Sequence, residues 1–359
     1  MKKIFMTLYG PLETDARVLR SIAAAHAAGC QVTIITANTR DDFVAQGNTT
    51  LINYPHHCVG GFQYLKFCLF CMKYFFKYRA DVDVLYLHDY VSTIPGLLLK
   101  PFCSNKKIIY DAHELLLLRK GDFATIRDKL FIWSEKKLVH KVDLIIEANK
   151  EREDVLKQTY SLNNTTNVLN ITKFKEIIHR NLSDQKIIVY QGNLTEDRHL
   201  SFFIEAISFI PDVKLLFIGD GRSMNQYKQM VKERKLESKV LFTGRLSNKD
   251  MMEKMKEGSI GIISYPFSNL NNIYCSPNKL FEYAAISLPF IATAQPFIKM
   301  VEEKYHIGRT YEFGNIDSFV DNVKEIFAHY DEYNKTESFL SDYNYENEIK
   351  KMINIFLCI

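Results

Sequence analysis

KKIFMTLYGPLETDARVLRSIAAAHAAGCQVTIIT, residues 2–36, decides the fold. The stretch opens as an apolar strand that stops at Gly10-Pro11, and it closes on a second buried strand at residues 32–36. Between them Thr14-Asp15 gives a helix start, Val18, Ile22 and Ala25 recur at helical spacing, and Gly29 ends the helix. Strand, helix and strand in that order form a βαβ unit, whose crossover makes the two strands parallel. The turn carries one glycine, Gly10, and no G-x-G-x-x-G, so the dinucleotide fingerprint is absent, although a lone glycine still lets a ligand approach the backbone.

The same alternation continues outward. Residues 84–87 form a strand ending at His88-Asp89, and residues 107–110 one ending at Asp111-Ala112-His113-Glu114. Histidines and acids at the carboxyl ends of parallel strands stand where such sheets bind ligands. Residues 144–146 read as the strand that closes this first sheet, followed by a helix at 149–158. The polar run 161–167 and the mixed stretch 172–185 read as the connection between domains. The pattern then restarts: strands at 186–190, 214–218, 240–242, 260–264 and 290–292 alternate with helices, and a last helix at 345–357 carries Ile349, Met352, Ile353 and Phe356 on one face.

A chain of 359 residues is too long for one ordinary core, and its 47% apolar and 25% charged residues are those of a folded protein, so two α/β domains are expected. The division predicted is 1–170 for the first domain, 171–185 for a linker, 186–335 for the second domain, and 336–359 for a C-terminal helix crossing back onto the first. No secretory signal opens the chain, which is expected in the cytoplasm. Seven scattered cysteines read as reduced thiols. The net charge of +4 is uneven: residues 1–180 carry +7 and the remainder −3.

Two stretches of the basic half are unusual. Residues 62–79 interleave Phe62, Tyr64, Phe67, Phe70, Tyr74, Phe75, Phe76 and Tyr78 with Lys66, Lys73, Lys77 and Arg79, with no acid among them. Four cations argue against a membrane span, so the run reads as an interfacial helix on an anionic leaflet or as a tightly packed crossover helix. Residues 119–141, basic and amphipathic with Phe131 and Trp133, read as a helix suited to touch the same surface. Asp81-Val82-Asp83 has the spacing of a metal-binding D-x-D but sits just before a strand of the basic domain, and no metal ligand is expected there.

In the second half, Gly192 with Arg198, Gly244 with Arg245, and Ser264 with the turn Ser276-Pro277-Asn278-Lys279-Leu280-Phe281-Glu282-Tyr283 lie at ends of successive strands. Ser276 is a candidate cap and Pro277 suits a first helical position, so the helix start and Lys279 offer an anion site. Alone, Lys279 and Glu282 also read as a surface ion pair. Beside Arg198, however, Lys279 gives a second cation for a diphosphate, and Glu282 an acceptor for ribose hydroxyls. Such a ligand is a nucleotide sugar or a dinucleotide, and the missing fingerprint disfavours the latter.

Taken together, Ser-Pro-Asn-Lys-Leu-Phe-Glu-Tyr with the following Leu-Pro-Phe-Ile-Ala-Thr, Tyr-Gln-Gly-Asn-Leu upstream of Arg198, Phe-Ile-Gly-Asp-Gly, and the N-terminal Thr-Asp-Ala-Arg-Val-Leu-Arg resemble retaining glycosyltransferases of family 4. The resemblance covers essentially the whole chain. It implies the GT-B fold, two Rossmann-like doubly wound parallel-sheet domains facing a central cleft, the first binding the acceptor and the second the nucleotide-sugar donor. By that resemblance Glu282 matches the second Glu of the E-x7-E motif, in its Pro-Asn-Lys-x-x-Glu variant, and binds donor ribose. Arg198 and Lys279 match the diphosphate-binding pair, His113 the histidine that contacts donor sugar and phosphate, and Gly10 the loop over the phosphates. Gly244, Arg245 and Leu246 lie where the base is held, with Gly192, Ser276, Pro277 and Asn278 completing the donor set. Asp15, His88, Asp89 and Glu114 are the acceptor-side candidates. Tyr274 stands where the motif's first Glu would be, which implies a different contact to the sugar.

The implied activity is retaining transfer of a sugar from a nucleoside diphosphate sugar to a saccharide acceptor on a lipid carrier, in polysaccharide or glycolipid synthesis, by a peripheral protein on the inner face of the plasma membrane. Neither a metal nor another cofactor is implied, and no nucleic-acid partner is expected. Two alternatives stay open: a nonhydrolysing nucleotide-sugar 2-epimerase, with Asp89, Asp111 and Glu114 as sources of acid and base, and a catalytically silent membrane-bound subunit of the same fold, which Tyr274 favours.

Overall fold

The computed structural model describes residues 1–55, 60–119, 122–174, 178, 182 and 185–359. The chain forms two compact units, residues 1–170 with 345–359, and residues 171–344. Much of the stretch 172–185 read as a linker lies outside the described residues.

In the first unit β1 (Lys3–Thr7), α1 (Ala16–Ala27), β2 (Gln31–Ala37) and β3 (Thr49–Tyr54) precede α2 (Gly61–Tyr78). After them come β4 (Val84–His88), α3 (Thr93–Leu99), β5 (Lys107–Asp111), α4 (Ile126–Leu138), β6 (Leu144–Glu147), α5 (Lys150–Tyr160) and β7 (Thr165–Asn167). The sheet is parallel, in the order β3-β2-β1-β4-β5-β6-β7. Its strand order reverses between β1 and β4, and the crevice beyond their carboxyl ends is where doubly wound sheets bind ligands.

Two expectations are corrected here. Residues 144–146 do not close the sheet, because β7 pairs beyond β6, inside the stretch read as a connection. An edge strand has one neighbour and a solvated side, so Thr165, Thr166 and Asn167 need no apolar run. Nor is 119–141 one helix: α4 starts at Ile126, where the Thr125 hydroxyl accepts from the Asp128 N–H and the Asp128 carboxylate accepts from the Thr125 N–H.

The second unit contains β8 (Lys186–Gln191), α6 (Leu200–Ala206), β9 (Val213–Ile218), α7 (Met224–Glu233), β10 (Val240–Phe242), α8 (Asn248–Met255) and β11 (Ile260–Ile263). It continues with α9 (Leu270–Ile273), α10 (Asn278–Ala285), β12 (Phe290–Thr293), α11 (Pro296–Tyr305), β13 (Gly308–Tyr311), α12 (Ile316–Ala328), α13 (Tyr330–Tyr333) and α14 (Glu337–Asp342). This sheet is also parallel, in the order β10-β9-β8-β11-β12-β13, with its reversal between β8 and β11. The strand β13 was not anticipated and is again an edge.

The chain then returns to the first unit as α15 (Tyr345–Cys358). Met352 and Phe356 enter that unit's core, and the Tyr86 ring lies 5.7 Å from Phe356. The Glu348 carboxylate accepts from the Leu169 N–H at 2.8 Å, and the Lys2 ammonium donates to the Phe356 carbonyl at 3.2 Å.

On α2, Phe67, Cys68, Cys71 and Phe75 are buried. Phe62, Leu65, Leu69 and Phe76 are exposed at spacings of three, four and seven, which is one stripe of a helix. Lys66, Lys73 and Lys77 are exposed beside it. No helix among the described residues is long and apolar enough to cross a membrane. The six described cysteines are free, five of them buried. Asp81 and Asp83 both bind Lys3, through its ammonium and its N–H, each at 2.8 Å.

Candidate functional site

Beyond the carboxyl ends of β8 and β9 the second unit opens a cavity of about 530 Å³. Gln191, Gly192, Gly219, Asp220 and Gly221 line one wall, and Arg245, Leu246 and Met251 line another. Glycine is required at the point where the two strand ends meet. Gly192 and Gly219 have φ of 135° and 137°, and a Cβ on Gly219 would lie 2.0 Å from the Gly192 carbonyl oxygen. We expect Gly219→Ala to push the Gly192 loop outward, costing roughly 1–3 kcal/mol of stability and weakening nucleotide binding more than Asp220→Ala does, as read by thermal unfolding with and without nucleoside diphosphate. Gly244 has φ of 74° and its carbonyl accepts from the Gly219 N–H at 3.2 Å, tying the Arg245-bearing loop to the same point.

Two cations sit on two tyrosines beside this cavity. The Lys279 ammonium lies 4.0 Å from the Tyr190 ring centre and the Arg198 guanidinium 4.5 Å from that of Tyr265, with Lys279 5.9 Å from the same Tyr265 ring. Cation–π attraction seats both cations on these rings; Arg198 Nε also lies 3.5 Å from Asp197 Oδ2, while its Nη1 is left to a ligand. Tyr265 is fixed from both sides, its N–H donating to the Thr293 hydroxyl at 3.1 Å and its carbonyl accepting from the Gln295 amide at 2.7 Å. The Ser264 hydroxyl donates to the Arg198 carbonyl at 3.0 Å and so fixes the Arg198 turn. Lys279 rests against Gly192, where a Cβ would stand 3.2 Å from its Cε and Nζ.

The Lys279–Glu282 helix start differs from expectation in two respects, since Pro277 precedes the first helical position rather than filling it and Ser276 is not the cap. Ser276 does not cap α10: Pro277 takes the cap position in extended backbone and offers no side-chain acceptor, so the first turn keeps its positive end uncapped. Asn278 is exposed at the first helical position. Burial, reinforced by Arg198 and opposed by Glu282, pushes the Lys279 ammonium down to about 7. Burial also raises the Glu282 carboxyl, against the pull of Lys279. Three buried polar atoms here have no hydrogen-bond partner: Arg198 Nη1, Glu282 Oε2 and Gln191 Oε1. Orphaned polar atoms of this kind are rare in native interiors; Gln191 lines the cavity and the other two belong to Arg198 and Glu282, the charged neighbours of Lys279, which suits a polar ligand. Tyr274 ends the short helix α9, its N–H donating to the Leu270 carbonyl at 3.0 Å.

Thus the structure gathers Gly192, Arg198, Gly244, Arg245, Leu246, Lys279 and Glu282 around the end of one sheet. Gln191, Tyr190, Tyr265 and Met251 were missed. The two tyrosines carried a signal, each lying at a strand end beside a residue already singled out.

The remaining candidates belong to the first unit. Gly10 follows β1 at the strand reversal. Asp111, at the end of β5, is fully buried and takes the Arg17 guanidinium through Oδ1 at 2.5 and 2.9 Å and the Tyr86 hydroxyl through Oδ2 at 2.9 Å. Burial works against its charge, yet Arg17 and the two histidines hold its carboxyl well below the usual range. His88 Nδ1 lies 3.4 Å from His113 Nε2 and 3.5 Å from Asp111 Oδ2. Burial first, then the charges of Arg17 and His88, push the His113 imidazole down to about 4, so it is neutral near pH 7. Asp15 caps α1 through Oδ1 and keeps Oδ2 3.8 Å from His113 Nδ1. The ligand atoms of His88, Asp111 and His113 lie within 4.8 Å of one another, but a carboxylate already neutralised by Arg17 is a poor cation ligand. Asp89 adopts φ of 62° with a buried, unpartnered Oδ1, and burial raises its carboxyl to about 7; Glu114 is exposed.

Residues 172–339, nearly all of the second unit, match the family model described as glycosyl transferases group 1. The match covers a little under half of the whole chain. An uncharacterized glycosyltransferase of Methanocaldococcus jannaschii is 24% identical over 254 residues, 65% of this chain and 60% of the relative, so the match spans less than two thirds of that protein. Sucrose-phosphate synthase from Thermosynechococcus elongatus superposes with a TM-score of 0.79 at 16% identity, over 99% of this chain and 98% of the other. Anabaena HepE in complex with UDP superposes at 0.74 and 12% identity, over 100% of both. At these identities the likeness shows the shared GT-B fold. The segment matched by the family model spans the cavity, both cations and Glu282.

Proposed function

We propose that the chain is a retaining glycosyltransferase that moves a sugar from a nucleoside diphosphate sugar to a saccharide acceptor on a lipid carrier, in polysaccharide or glycolipid synthesis. The observation carrying this reading is the set of orphaned atoms around Lys279, since Arg198 Nη1 and Glu282 Oε2 are the donor and acceptor that a diphosphate and a ribose require. HepE, of the same fold, was solved with UDP, which supports a nucleoside diphosphate as ligand.

On this reading the cavity beside Arg245 and Leu246 takes the base, Glu282 the ribose, and Arg198 and Lys279 the diphosphate. The bond from the anomeric carbon to the diphosphate oxygen breaks while the acceptor oxygen bonds to the same face of that carbon, and the acceptor's proton passes to the departing diphosphate. Arg198, Lys279 and the α10 start stabilise the charge that grows on that oxygen. Neither a protein nucleophile nor a metal is needed for such a step. His113, neutral and backed by His88 and Asp111, serves as a hydrogen-bond partner of the transferred sugar, with Asp15, Asp89 and Glu114 on the acceptor side. On the same reading the α2 stripe, flanked by Lys66, Lys73 and Lys77, rests on an anionic membrane, and the protein is peripheral on its cytoplasmic face.

Incubation with radiolabelled nucleoside diphosphate sugars and a lipid extract tests the reading. The expected product is a glycolipid whose new bond keeps the donor's anomeric configuration. An inverted bond overturns retention. Release of an epimeric sugar nucleotide from donor alone would make the chain an epimerase instead.

A further inference from the structure

The first unit holds a second cavity, of about 390 Å³, between the N-terminal ends of α2 and α4. Its walls include Tyr9, Gly61, Tyr64, Leu130 and Phe131, with Arg127 also lining it. The Tyr64 and Phe131 rings meet edge to face at 5.4 Å, and the Tyr64 hydroxyl is spent on the Val91 carbonyl at 2.6 Å. Among the described residues no acid lines this cavity, and the Arg127 guanidinium lies over the Phe131 ring at 5.7 Å. The interior is therefore hydrocarbon and aromatic with one cation beside it.

The surrounding surface has the same character. On α4, Ile126, Leu130 and Trp133 follow at spacings of four and three and are exposed, Ile126 at 88% and Trp133 at 54%. Arg127, Lys129, Lys136 and Lys137 are exposed around them, while the acid of that turn, Asp128, is engaged in the Thr125 cap. On α2 the exposed stripe starts at Phe62, beside Gly61, and the Lys66 ammonium lies 4.5 Å from the Phe62 ring. Apolar side chains ringed by exposed cations suit an anionic lipid surface, with hydrocarbon inward and phosphate against Arg127 and Lys66.

We propose that this cavity seats one hydrocarbon chain of an anionic lipid, with Arg127 on its phosphate, and that α4 reaches the bilayer beside α2. The inference rests on the membrane reading of α2 and adds to it a site for the lipid itself. At 390 Å³ the cavity falls at the lower end of ligand pockets, which run from roughly 300 to 1,000 Å³.

Trp133 is the only tryptophan of the chain, so its emission reports on α4 in the unaltered protein. Flotation with vesicles of phosphatidylglycerol and phosphatidylcholine in equal parts tests the membrane reading. With those vesicles Trp133 emission is expected to move to shorter wavelength and to be quenched by lipids brominated on their chains. Flotation with unmoved, unquenched emission would leave the α2 reading standing and overturn the role of α4; absence of flotation would overturn both. Gly61→Leu tests the cavity: a Cβ at Gly61 meets nothing within 4 Å, so the leucine can enter the cavity without displacing the backbone. This variant is expected to float as the wild type does while binding dodecyl phosphate, a single-chain anionic probe, roughly tenfold more weakly. Unchanged affinity for that probe overturns the assignment of the cavity.

Discussion

Replacing Lys279 by methionine is expected to lower turnover by about a hundred- to a thousandfold while leaving the fold intact. Methionine keeps an aliphatic stem over Tyr190 and removes the charge. The loss matches that of removing one preorganised donor from a developing oxyanion. Stability should move the other way. The Lys279 ammonium, pushed down to about 7, lies well below the lysine range near 10.4, so between those values the unfolded chain binds more protons than the folded one. The strain of a buried charge is thus fully present below pH 7 and relieved as pH rises through that window. Lys279→Met removes it and should raise the unfolding temperature of the empty protein near neutrality. Lower activity with equal or higher stability separates loss of a phosphate ligand from misfolding. Activity within a few-fold of wild type would remove Lys279 from the phosphate site.

The second large effect is expected at Asp111. Asp111→Ala leaves the Arg17 guanidinium buried without its carboxylate, and removing one partner of such a pair costs about 3–5 kcal/mol. The change should appear as a lower midpoint of denaturant unfolding. Asp111 has a depressed folded value, so the pair's contribution is fully present above the unfolded carboxyl value of about 3.9 and fades only in stronger acid. The variant's deficit should accordingly be constant across neutral pH. A loss well under 1 kcal/mol would mean that Arg17 finds another partner and that Asp111 does not organise the strand end on which His113 stands.

Much of this architecture was legible because parallel strands covered on both faces are written as Val, Ile and Leu runs, broken by Gly, Pro and capping residues where the chain turns. Residues 32–36 and 214–218 show it, and so does the return helix with Met352 and Phe356. The edges escaped for the complementary reason: β7 and β13 are half solvated, and Thr165-Thr166-Asn167 and Gly308-Arg309-Thr310-Tyr311 carry no apolar run. In the second unit, that Arg198 and Lys279 come together was readable because a cation and an acid one helical turn apart after a strand end, with a second cation after another strand end, point to one crevice. Tyr190 and Tyr265 hold those cations across dozens of residues of sequence, and nothing local records that. Ser276 failed as a cap because Pro277 already occupies the extended cap position. Arg17 looked like an ordinary residue of an amphipathic helix, and its pairing with Asp111 exists only once β1 and β5 share a sheet.

Calorimetric titration of the wild type with UDP, GDP and ADP at pH 8, in two buffers of different ionisation heat, tests the proposed donor site most directly. At least one diphosphate is expected to bind far more tightly than its nucleoside and to take up a proton as Lys279 becomes charged against it, an uptake absent in Lys279→Met. Failure of every diphosphate to bind, or binding with the same affinity and proton count in Lys279→Met, would contradict a nucleoside diphosphate held by Arg198 and Lys279.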